Sequence, residues 1–171
     1  MSLPSTLLTA LLLLTSTTAA ATIDASLTTR NQHLVRYLFM DIYTATLYAQ
    51  SDSNLTDVLD TQQPVRLSLQ YHRSIDREDM IKAAGVILER QHPASQLAPL
   101  QADIDQLHSH FTDVSEGDTY SLTRTAEGEL QLHYNDQLSF RSKTPGLAEI
   151  YLGIWLGQDG LSDDLRSALL R

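Results

Sequence analysis

The chain has 171 residues, 21 acidic side chains against 12 Lys and Arg, a formal net charge of −9 and no cysteine. That length suits one domain, and the acidic balance excludes a nucleic-acid binder, because phosphates require gathered Lys and Arg. Without cysteine there is no disulfide, thiolate nucleophile or Cys-held metal.

Residues 1–21 carry no charged side chain. An apolar run at 7–14 leads to Ala19-Ala20-Ala21, the small-residue end of a secretory signal peptide. Cleavage after Ala21 leaves 22–171 as the single mature domain, periplasmic or secreted. The run is preceded by no Lys or Arg, so an N-terminal helix is the alternative. The rest of the chain holds no apolar run near the roughly 18 residues a spanning helix needs, which implies no integral membrane protein after cleavage.

Residues 22–30 alternate apolar and polar and read as a strand. Residues 34–48, rich in β-branched and aromatic side chains, read as two strands with a poorly marked turn at Phe39-Met40-Asp41. After Pro64, Val65, Leu67, Leu69 and Tyr71 alternate with Arg66, Ser68, Gln70 and His72, the clearest strand in the chain. The period then changes to helical. Ser74 or Asp76 caps a helix over 76–90 that places Glu78 and Asp79 in its first turn, and His92-Pro93 ends it. A second helix is predicted over 95–111. Three short strands follow at 119–125, 129–134 and 137–141, joined by turns at Ala126-Glu127-Gly128 and Asn135-Asp136. Pro145-Gly146 opens a helix that Gly157 stops, and Ser162 caps a last one to Leu170. The reading is one α+β domain, an antiparallel sheet of about six or seven strands with helices packed on one face.

The usual chemical motifs are missing. His108 and His110 form an H-x-H that a helix would splay apart, and no H-E-x-x-H, G-x-S-x-G or Gly-rich phosphate loop occurs. No metal and no cofactor is expected, and the histidines read as solvated side chains. Arg36 is less ordinary, since it lies within the apolar run 34–40. A reversal at Phe39-Met40 sets Arg36 opposite Tyr43 on one face, a guanidinium beside a phenol, suited to a carboxylate or oxyanion. The plainer alternative is an edge-strand Arg reaching water or pairing with Asp41.

Three stretches carry a family resemblance: Arg36 with Asp41-Ile42-Tyr43-Thr44-Ala45-Thr46-Leu47-Tyr48, Gly117-Asp118-Thr119-Tyr120-Ser121-Leu122, and Ile154-Trp155-Leu156-Gly157 followed by Leu165-Arg166-Ser167-Ala168-Leu169-Leu170. In this order they resemble the bacterial chalcone isomerase-like proteins over nearly the whole mature chain. The resemblance implies an antiparallel sheet, helices on one face and a ligand cleft between them. In true chalcone isomerases an Arg on the first of these strands holds the ligand's oxyanion, a Thr lies near the second, and a Tyr and an Asn stand on the following helix. Arg36 matches the Arg, Tyr43 takes the Thr position, and the helix 76–90 holds neither Tyr nor Asn. The plant relatives that bind fatty acids keep the Arg and carry a Tyr where Tyr43 stands. The resemblance therefore implies a non-catalytic binder of a fatty acid or similar apolar carboxylate, with Arg36 and Tyr43 on the head group. A chalcone-type isomerase using Arg36, and a structural or interaction protein whose cleft is filled, are the alternatives.

Overall fold

The computed structural model describes residues 27–171. The expected signal peptide, and most of the strand expected at 22–30, lie outside the described residues. Six strands pair antiparallel in chain order: β1 (Thr28–Tyr37), β2 (Met40–Ala49), β3 (Val65–Tyr71), β4 (Thr119–Arg124), β5 (Leu130–Tyr134) and β6 (Gln137–Ser142). The helices are α1 (Arg77–Gln91), α2 (Ala94–Leu97), α3 (Gln101–Ser109), α4 (Leu147–Leu156) and α5 (Asp163–Leu169). The two strands expected at the start of the mature chain are one continuous β1. Its ladder shifts register between Thr29 and Asn31, and the intervening Arg30 turns to the carbonyls of Gln50 and Ser53.

Alternation sorts the sheet into two faces. Ala45, Leu47, Val65, Leu67, Leu69, Leu122 and Leu132 point to the helices and are buried. The opposite face is polar, and its side chains satisfy one another: Arg66 Nε donates to Thr123 Oγ1 at 2.9 Å, and Ser121 Oγ to Ser68 Oγ at 3.1 Å.

Side-chain acceptors meet the first amides of two helices, in one case from outside the helix. Ser162 Oγ accepts from Leu165 N at 3.2 Å at the head of α5. Asp76 stands at the N-cap of α1 without a side-chain bond, and Asp113 instead accepts from Arg77 N at 2.8 Å. The helix expected over 95–111 is broken. Pro99 lies in a 3-10 turn, Ala98–Leu100, between α2 and α3, because proline cannot supply the amide a continuous helix needs.

Two side chains fasten the helices to their surroundings. Gln91 Nε2 donates to the carbonyls of Gly153 and Gln158 at 2.8 Å each. A Cβ on Gly157 would stand 2.7 Å from Gly153 O and 2.9 Å from that amide nitrogen, so the close of α4 requires glycine. Arg124 is fully buried. Its guanidinium gathers the carbonyls of Val58, Leu59, Thr61 and Gln63 and meets Glu149 Oε1 at 3.3 Å. Four loop carbonyls thus find one donor fork, which organises the β2–β3 connection beyond its single 3-10 turn, Leu55–Asp57.

Candidate functional site

Between the inner sheet face and the helices lies a cavity of about 760 Å³, inside the range of small-molecule sites. Its existence follows from side-chain size. Where α1 crosses the sheet it presents Ala83 and Ala84 beside Met80, and two one-carbon side chains cannot reach the strands. Tyr43, Leu69, Tyr71 and Tyr120 form the sheet wall, Ile154 and Trp155 of α4 the opposite one, and Leu34 to Tyr37 of β1 an edge.

The wall is mainly apolar, with a row of phenols. Tyr43 and Tyr71 pack edge to face at 5.7 Å, and Tyr71 and Tyr120 at 6.4 Å. Trp155 Nε1 donates to the Tyr43 hydroxyl at 3.2 Å. The Tyr43 hydroxyl proton has no acceptor among the described residues, so it is available to a ligand oxygen. Burial pushes the phenols of Tyr43 and Tyr71 well above their usual range; the Trp155 bond opposes this at Tyr43, and the neighbouring phenols add to it at Tyr71. Both remain neutral hydroxyls.

Arg36 is the one Arg or Lys among the residues lining the cavity. It does not stand where the sequence reading put it. The turn is Leu38-Phe39, and Arg36 opposes Asp41 while Val35 opposes Tyr43, with a register shift between the two pairs. The expected guanidinium–phenol pair therefore does not form. Instead Arg36 Nε donates to Asp41 Oδ1 at 2.7 Å, with the Arg36 side chain 64% exposed. This is the plainer of the two alternatives, with one difference: the residue still borders the cavity. Among the described residues both Nη groups lack a partner, which leaves the far edge of the fork open to an anion at the rim.

Trp155, Tyr71 and Tyr120 were not singled out by sequence reasoning. Tyr71 could have been, since the alternation from Val65 places it on the inner face. Trp155 is half-buried, packed against the core beside the cavity, and Tyr151 is the fully buried aromatic of α4, its hydroxyl sharing a hydrogen bond of 3.0 Å with His108 Nε2.

Residues 16–171 match the family described as chalcone isomerase-like. The chain belongs to that family. Among solved structures it is similar to a fatty-acid binding protein of Arabidopsis thaliana, with a TM-score of 0.67 and 15% identity over 86% of this chain and 88% of that one. At that identity the likeness shows the chalcone isomerase-like fold: a six-stranded antiparallel sheet with helices on one face. A search of the curated proteins finds no match.

Proposed function

We propose that this chalcone isomerase-like protein is a non-catalytic binder of a fatty acid or similar apolar carboxylate, exported after removal of residues 1–21. The observation that carries the reading is the 760 Å³ cavity, mainly apolar, whose charged lining residues are Arg36, Asp79 and Asp164, with Arg36 the one cation. An ionised head group is costly to place deep among leucines and phenols. It belongs at the rim, on the open Nη edge of Arg36, with the chain inside. The Tyr43 hydroxyl offers a neutral donor to an oxygen that enters further. Fatty-acid binding by the Arabidopsis protein of the same fold supports the ligand class.

Catalysis of the chalcone type has less support. The α1 residues on the cavity are Asp79, Met80, Ala83 and Ala84, none of them a phenol or an amide. A filled cleft, which a purely structural role would favour, is not what the helices leave. Among the described residues no helix is long and apolar enough to cross a membrane, consistent with a binder that works outside the bilayer core.

Native mass spectrometry of the purified protein tests both parts. The expected species begins at Thr22 and carries co-purified acyl lipid, or takes up added palmitate at one equivalent. Tyr43→Phe should weaken that uptake less than Arg36→Ala does. A chain that still begins at Met1 after expression in a secreting cell refutes export. A protein that holds no lipid and takes up none refutes the ligand.

A further inference from the structure

The tip of the β1–β2 hairpin is apolar and uncovered. Tyr37 is 65% exposed, Leu38 68%, Phe39 101% and Met40 42%. Nothing in the fold explains these side chains. They bury no core, and the turn disfavours them: Leu38 and Phe39 hold φ of 48° and 67°, the left-handed region that Asn, Asp and Gly enter most readily. The same chain makes the β5–β6 turn with Asn135 and Asp136 at φ of 47° and 64°. Ordinary turn residues thus serve one hairpin, while the other spends conformational energy to display leucine and phenylalanine. Strain of this kind points to a use outside the fold.

We propose that this tip inserts into the surface of a lipid bilayer. A two-residue turn is a narrow wedge, and it offers far less than the roughly 800 Å² per partner of a stable protein interface. A bilayer closes around a wedge, and aromatic and aliphatic side chains favour its interfacial zone. Charge at the base of the tip fits the same partner. Arg36, paired through Nε with Asp41, keeps its Nη edge open, and the exposed Arg73 lies against the Met40 thioether, so two guanidinium groups against one carboxylate stand where phosphates would meet an inserted tip. Tyr37 and Arg36 also line the cavity. Insertion would therefore bring the cavity mouth to the lipid, letting an acyl chain pass without crossing water. That use rests on the function proposed above; the bilayer contact rests on the tip alone.

The test uses the chain as the cell processes it, with phosphatidylcholine vesicles prepared with and without phosphatidylglycerol. The parent should co-sediment with vesicles. The double substitution Leu38→Asn, Phe39→Gly should lower its partition coefficient at least about tenfold while raising the thermal midpoint, since Asn-Gly suits the turn. In a second measurement, brominated phosphatidylcholine should quench the emission of Phe39→Trp well beyond the quenching of Trp155 in the parent. No vesicle binding by the parent, binding unchanged by the double substitution, or no added quenching overturns the proposal. So does a lipid-free dimer that the double substitution dissociates. Palmitate uptake by the double variant without vesicles keeps the two readings apart. If the parent binds vesicles through its tip but takes up no acid, the proposed ligand fails and the bilayer contact stands.

Discussion

Arg36 and Asp41 make opposite predictions for the same ligand. A carboxylate on the Nη edge of Arg36 gains charge-assisted bonds, at about 1.5–3 kcal/mol each when sheltered. The guanidinium is 64% exposed, so the smaller figure applies, and Arg36→Ala should weaken palmitate binding about tenfold. Asp41 holds the other side of the same fork at 2.7 Å. A head group there sits on the order of 5–6 Å from the Asp41 carboxylate, a repulsion that water and salt reduce to about 0.5–1 kcal/mol. Removing that charge with Asp41→Asn should tighten binding about two- to fivefold. Titration calorimetry at low and at high salt reads both, and each effect should shrink as salt rises. The reasoning fails if Arg36→Ala leaves the affinity within twofold. It fails equally if Asp41→Asn weakens binding, because the ion pair would then be holding the site in shape.

Four further outcomes follow from the structure. Ala84→Phe fills the space under α1, so it should abolish palmitate uptake while changing stability by under about 1 kcal/mol, the phenyl entering a void; calorimetry and urea titration check the two halves. Arg124→Met leaves four loop carbonyls without their donor and should cost about 3–5 kcal/mol, seen as a fall of about 6–20 °C in the thermal midpoint, with Arg124→Lys recovering part. Burial holds the His108 imidazole below its usual pKa of 6.5, with Arg77 acting the same way and Asp105 against it. The unfolded chain therefore takes the proton first, so stability should fall as pH drops below about 6.5, and His108→Gln should flatten that slope in urea titrations. Ring closure of a chalcone, followed by absorbance, should stay within about tenfold of the spontaneous rate, because each absent positioned group forgoes about 10²–10⁴.

Where local chemistry alone decides, the sequence was readable. Acidic residues at one end and His92-Pro93 at the other bounded α1, and Ser162 and Gly157 bounded α5 and α4. Asn135-Asp136 named its own turn. The β1–β2 turn did not, because Leu38 and Phe39 are poor residues for the conformation they hold, and a one-residue error there changed the partner of Arg36 from Asp41 to Tyr43. The cavity was legible only as a family expectation. Its physical cause, the short Ala83 and Ala84 side chains on a cavity also lined by Tyr71 and Leu69, needs the packing of α1 on the sheet. Arg124 was invisible for the same reason, since its carbonyl partners lie about sixty residues away in a stretch of no marked pattern.

The order of the sheet has a kinetic side. All six strands pair with their neighbours along the chain, and most of these pairs close short loops. The exception is β3 with β4, whose union must span residues 72–118. Closing that span from a disordered chain costs about 3 kcal/mol more than closing a two-residue turn. Growth of α1 and α3 beforehand shortens it. The folding barrier should then be governed by helices that contribute nothing to the ladder, and substitutions in the first turns of α1 should slow folding while those at the β5–β6 turn chiefly speed unfolding.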